Sequence, residues 1–261
     1  ASHIGGRLNL RRNEVRMLVG CGAAGAIAAA FNAPFTGAFY AFELIIGVYS
    51  VAMLAPLITA SLVATFAARW LGAVQTPIYL PHLATPSGPE MVPFLILGLV
   101  SSGVAITIML AVAQIERGLS IIRLPQPVRP FLGGIAMGGL ALLTPQVLSS
   151  GHGALDLQFT TETGLATVAL LFILKFLASA VSLGTGFRGG LFFASLLLGA
   201  LLGKLYAAVL VTTGIAPHID PLLAAVVGMA SLASGIIGSP LTMSFLVLEF
   251  TGDINISAAV L

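Results

Sequence analysis

From Phe94 to Ile115 the chain runs without one charged residue. A helix needs about 20 apolar residues to cross ~30 Å of hydrocarbon, so this run alone directs the chain into a bilayer. Phe94–Leu119 reads as one long helix, with length enough to tilt. Val51–Leu71 and Gly164–Leu183 read as further full spans, and Gly190–Val211 as another apolar helix. The rest of the composition agrees: only 8% of the 261 residues are charged and mean hydropathy is +1.07, where a soluble domain carries about 25% charged residues. The class is a polytopic membrane protein. Its net charge of +2 is too small to imply a nucleic-acid partner. Cys21 is the one cysteine, so no intrachain disulfide can form; among Gly and Ala it reads as a buried small residue.

Several apolar segments are too short to span or are broken where a span should continue. Glu14–Phe31 is a helix rich in Gly and Ala, residues that let helices approach closely in lipid. Asn32–Pro34 interrupts it, and Phe35–Ile46 follows as a shorter helix. Phe131–Leu143 is short and Gly-rich, and Pro145–Thr163 reads as a polar loop holding His152, Asp156 and Glu162. Pro221–Ile237 and Ser239–Phe250 are separated by a second Gly/Pro break, and Asn255–Leu261 begins one more helix. Basic loops at Arg7–Arg16 and Arg117–Arg129 are expected on the cytoplasmic side; the loops around His82 and Asp156 are expected outside. With no initiator Met and no signal peptide, the chain is expected to be a fragment cut at both ends. Non-helical backbone at membrane depth survives only inside protein or along a cavity, so each break calls for a reason.

One break stands out. Leu183–Gly203, LGTGFRGGLFFASLLLGALLG, carries Gly184, Gly186, Gly189 and Gly190 ahead of an apolar helix. The amides of Leu191, Phe192 and Phe193 then stand at a helix N-terminus, where N–H groups and the macrodipole favour an anion. Phe192 and Phe193 would keep such a site dry and its contacts strong. Taken alone the motif equally fits a glycine-rich bend between packed helices.

The chain also repeats itself. Gly22–Glu43, GAAGAIAAAFNAPFTGAFYAFE, aligns without a gap on Gly228–Glu249, GMASLASGIIGSPLTMSFLVLE. Gly22 pairs with Gly228, Pro34 with Pro240, Thr36 with Thr242, Phe39 with Phe245 and Glu43 with Glu249. Repeats with broken helices are the mark of transporters that bind near the midplane, and the alternation of loop charge predicts that the copies are inverted.

These segments resemble the CLC family of chloride channels and chloride/proton antiporters. GAIAAAFNAPFTGAFYAFE resembles the helix pair after that family's second signature, GTGFRGGLFFAS its third signature GxFxP, and SGIIGSPLTMSFLVLEFTGD the late helix pair ending in Glu-x-Thr. SSGHG at Ser149–Gly153 is similar to a family loop. The resemblance covers nearly the whole chain. It implies an all-α polytopic membrane protein with inverted repeats of broken and re-entrant helices, and a homodimer through the helices containing Phe39 and Phe245. It also implies chloride as the bound ion with no other cofactor, and a bacterial inner membrane as the setting. The stripes Phe35/Phe39/Phe42 and Leu241/Phe245/Leu248 have helical spacing suited to that dimer face. By position Leu191 and Phe192, with Gly190 and Phe193 beside them, match the amides that hold the central anion. Two departures are Ala194 in place of the signature's Pro, and Arg188 where the family has a small residue or Pro. The resemblance places the gating Glu, an anion-coordinating Ser and a coordinating Tyr outside the present chain. Antiporters of the family carry a proton-collecting Glu directly after the position of Glu43, where channels are apolar; here that residue is Leu44. A channel-like or weakly proton-coupled carrier is expected, against an antiporter with another proton acceptor.

The remaining candidates each have two readings. Glu43 is either on a proton path or, like Glu249, a structural acid that caps or pairs helices; their equivalence in the repeat favours the structural role. Lys175 either pairs with a carbonyl or carboxylate or shapes the anion path. Arg188 either attracts the anion or forms a salt bridge or interfacial anchor. His152 has no metal-ligand partner at useful spacing and reads as a turn residue. An enzyme is not expected: HExxH and GxSxG are absent, and Ser234 has no His nearby in sequence. A purely structural subunit would have no use for broken helices with glycine-lined ends.

Overall fold

The computed structural model describes residues 10–47, 51–72, 83, 91–148, 152–160, 164–187 and 191–260. Among them every regular element is helical. In chain order these are α1 (Arg12–Phe31), α2 (Pro34–Tyr40) running into a π-helical turn (Ala41–Ile46), α3 (Val51–Trp70) and α4 (Met91–Ile121). There follow α5 (Val128–Leu143), a 3-10 turn (Pro145–Val147), α6 (His152–Thr160), α7 (Leu165–Gly184) and α8 (Phe192–Thr212). The series ends with α9 (Pro221–Ile237), α10 (Pro240–Thr251) and α11 (Ile254–Val260). Five of them, α1, α3, α4, α7 and α8, are long and apolar enough to cross a membrane. At 31 residues α4 measures about 46 Å, longer than the hydrocarbon is thick, which fits the tilt expected of it.

The helices group into two units, Ala1–His82 with Gly238–Leu261, and Leu83–Ile237. In the first, small residues do the packing. Ala24, Ala38 and Ala41 are fully buried together with Leu57, and Phe42 and Ile46 complete the cluster. Asn32 ends α1 in the left-handed region (φ 54°), which Asn tolerates better than most residues, and Arg69 Nε donates to its Oδ1 at 2.7 Å. Arg16 Nε donates to the carbonyl of Ile45 at 3.2 Å, placing a cation at the negative end of the α2 segment.

In the second unit α8 and α9 cross at backbone contact. A Cβ added at Gly203 would collide with the Ala224 carbonyl, one at Gly199 with the carbonyl of Gly228, and one at Gly228 with Gly199. Lipid supplies no hydrophobic drive between helices, so close van der Waals packing of this GxxxG kind must hold them. The neighbouring Leu196, Leu198, Leu201, Val226, Val227 and Met229 are buried.

Four expectations change. The polar loop at Pro145–Thr163 contains the 3-10 turn and α6 instead. Ala154, Leu155, Gln158 and Phe159 are buried, a helical spacing that the polar residues between them obscure. His152 opens α6 and is not in a turn. The basic loop at Glu116–Pro130 is shorter, because α4 continues to Ile121. Finally, Phe42 is buried within its own unit, so it does not continue an outward stripe with Phe35, which is 48% exposed.

Candidate functional site

The glycine-rich break begins with a helix stop that its sequence dictates. Gly186 takes φ +92°, open to glycine and costly for other residues. Its N–H donates to the Leu183 carbonyl at 2.9 Å, and the Phe187 N–H to the Ser182 carbonyl at 3.1 Å. This is the Schellman pattern, which satisfies the carbonyls at the end of α7. Thr185 Oγ1 adds a bond to the Val181 carbonyl at 2.8 Å. Arg188, Gly189 and Gly190 lie outside the described residues, so the predicted roles of Arg188 and Gly190 have no geometry here.

Leu191, the residue before α8, already has helical dihedrals (φ −73°, ψ −7°). The Ser195 N–H donates back to its carbonyl at 2.7 Å. No side chain of the N-cap residue caps this helix start, and Ser195 Oγ turns away to the Phe192 carbonyl at 2.7 Å. Leu191, Phe192, Phe193 and Ala194 are half-buried, and from Ser195 to Gly203 the helix is buried. The Phe192 and Phe193 rings meet edge to face at 5.9 Å. A helix start with this shielding, held by the α8–α9 crossing, can stabilise a negative charge.

The two intramembrane lysines of this unit both tie down the stretch between α5 and α7. Lys175, only 4% exposed, donates to the Val147 carbonyl at 3.0 Å, the carbonyl pairing that its position suggested. Lys204, in α8, donates to the backbone carbonyl of Gln158 and approaches Gln158 Oε1 at 3.5 Å. Sequence reasoning passed over Lys204, though a cation inside an apolar span is as strong a signal there as at Lys175. No group of His, Cys, Asp and Glu among the described residues could hold a metal ion.

In the other unit the repeated acids meet the repeated threonines. Glu43 accepts from the Leu241 N–H at 3.1 Å, the Thr242 N–H at 2.9 Å and Thr242 Oγ1 at 2.6 Å. Glu249 accepts from the Phe35 N–H at 2.9 Å, the Thr36 N–H at 2.8 Å and Thr36 Oγ1 at 2.5 Å. Each acid near one helix end thus sits on the start of the other helix, and α2 and α10 run antiparallel. Between the two clusters Phe39 and Phe245 stack at 4.0 Å, 14° from parallel. Glu43 reaches its partner from a π-helical turn. With i→i+5 bonding each residue turns the chain by less than the α-helical ~100°, so Glu43 and Leu44 diverge less than an α-helix would make them. Leu44 is 36% exposed.

Comparison with known proteins agrees with this architecture. Residues 1–261 match the family described as voltage gated chloride channel. A ClcB-like protein of Ralstonia nicotianae is 35% identical over 241 residues, 91% of this chain and 56% of that protein. The voltage-gated ClC-type chloride channel ClcB of Citrobacter koseri is 29% identical over 93% of this chain and 58% of its own length. The chain therefore spans just over half the length of the curated relatives it matches. Among solved structures, a slow cyanobacterial Cl−/H+ antiporter superposes with a TM-score of 0.83 at 23% identity, over 99% of this chain and 62% of that one. A CLC-type fluoride/proton antiporter gives 0.80 at 21% identity, over 99% and 65%. With helices throughout, spans long enough for a bilayer and a family match from end to end, the chain belongs to the voltage gated chloride channel (CLC) family of integral membrane proteins.

Proposed function

We propose that the protein carries chloride across a bacterial inner membrane, passively or with weak coupling to protons, and that the amides of Leu191 and Phe192 hold the ion. The observation that carries this reading is the start of α8: a half-buried helix N-terminus, flanked by the Phe192 and Phe193 rings. The family match supports chloride as the cargo. Phe193 borders the site, and Arg188 and Gly190 precede it in sequence. Soaking crystals of the protein in bromide is expected to give an anomalous peak within hydrogen-bonding reach of the Leu191 and Phe192 nitrogens. Density elsewhere only, with both N–H groups bonded to protein, would overturn the assignment. Chloride efflux from liposomes holding the protein is the matching functional assay.

The reading includes a homodimer formed through the helices that contain Phe39 and Phe245. Those two rings stack on each other within one chain; Phe35 also meets Phe245, at 6.4 Å, but is half-exposed and is the better anchor. A Phe35→Cys variant is expected to cross-link between subunits under oxidation in membranes. Its backbone bond to Glu249 does not depend on the side chain. Persistent monomer after oxidation would count against this face.

A further inference from the structure

We propose that Glu43 and Glu249 are built-in anions: each is the capping ligand of the other's helix, and together they form a reciprocal latch that fixes α2 against α10. The geometry starts from two helix beginnings that cannot cap themselves. Before α2 stands Ala33, which has no side-chain acceptor. Before α10 stands Ser239, a residue type that ordinarily accepts from the second or third helical N–H. Here its hydroxyl makes no cap bond and is fully buried without a partner. The reason is that the N–H groups of Leu241 and Thr242, which it would serve, already donate to Glu43. At α2 the equivalent N–H groups of Phe35 and Thr36 donate to Glu249. In both copies Pro occupies the first helical position, where no N–H is needed. The next two amides and the Thr hydroxyl then form a three-donor cradle the size of a carboxylate.

The arrangement answers a cost. An acid in an apolar helix is expensive in a membrane unless paired; an uncapped helix start leaves N–H donors without acceptors. Setting each acid on the other copy's helix start satisfies both, through charge-assisted bonds. It also explains why Pro, Thr and Glu recur in register in the two segments: the cradle and its ligand are both copied. An ionised carboxylate is acceptor-only. Three of the about four lone-pair sites of Glu43 are taken by the cradle, so the latch and a proton-carrying role draw on the same two oxygens. This role does not depend on where chloride binds.

Thermal unfolding of the detergent-solubilised protein tests it. The Glu43→Ala variant is expected to melt lower than the parent by on the order of 10 °C in gluconate, an anion too large for the cradle. Formate, a free carboxylate, is expected to restore a good part of that loss while moving the parent by no more than about 2 °C. Should Glu43→Ala fail to accumulate, the milder variants decide. Glu43→Gln and Thr242→Val are expected to lose less together than the sum of their separate losses, and Glu249→Gln and Thr36→Val likewise, whereas the crossed combinations add. A Glu43→Ala variant as stable as its parent, or equally unstable in formate and gluconate, would overturn the proposal. So would strict additivity of Glu43→Gln with Thr242→Val.

Discussion

Replacing Gly203 by Leu is expected to abolish the folded protein. An added Cβ there meets the backbone carbonyl of Ala224 and the Cα of Ala225, and backbone cannot swing aside as a side chain can. Relief requires α8 and α9 to part along the whole Gly199–Gly203 crossing. The buried leucines of α8 and valines of α9 then lose contacts that lipid does not replace in kind. Overpacking of an ordinary core costs about 1–3 kcal/mol; a backbone collision lies at or above the top of that range. The check is the yield of monodisperse protein on size exclusion after extraction. Gly98→Leu is the matched control, because an added Cβ at Gly98 meets nothing within 4 Å, and its yield is expected within about twofold of the parent. A well-folded Gly203→Leu protein would show that α8 does not need this contact. The consequence reaches the candidate site, since the same helix presents Leu191 and Phe192 at its start.

How much of this was legible beforehand depended on whether a local cue existed. Pro221–Ile237 is found at the expected bounds, because Pro opens it and Gly238 closes it. The breaks at Asn32–Pro34 and Gly238–Pro240 are likewise where Asn, Gly and Pro mark them. The start of α8 is legible for the same reason, as glycines precede an uninterrupted apolar run. α6 was not, since Ala154, Leu155, Gln158 and Phe159 make a helical face too short to outweigh the polar residues around it. The π-helical turn at Ala41–Ile46 had no cue at all, because AFELII suits an α-helix equally. The repeat placed Glu43 opposite Glu249 in alignment and suggested a shared structural role. It could not show that each acid's partner is the other copy's threonine, because that pairing joins residues about two hundred positions apart.

A chloride gradient imposed on liposomes holding the protein is expected to drive chloride flux without moving protons uphill. The family resemblance assigns proton exchange with the cytoplasmic side to an acid. At the position where the family's antiporters carry that acid the chain has Leu44, whose side chain cannot bind a proton, and which is partly exposed at 36%. Glu43 stands next to it, and the π-helical turn brings the two faces closer than an α-helix would. Even so, Glu43 is committed to the start of α10: its two oxygens accept three bonds there, out of about four lone-pair sites that a carboxylate has. In the same unit Glu14 accepts from the Arg11 N–H at 2.7 Å and Asp253 from the Asn255 N–H at 2.7 Å. The informative variant is Leu44→Glu, which supplies an acid at the usual position without touching the Glu43 bonds. Should the missing acid be what limits coupling, this change is expected to introduce chloride-driven proton movement. Uphill proton transport by the unaltered protein, at fixed stoichiometry and surviving Glu43→Gln, would mean that protons reach the anion path by a route independent of both residues.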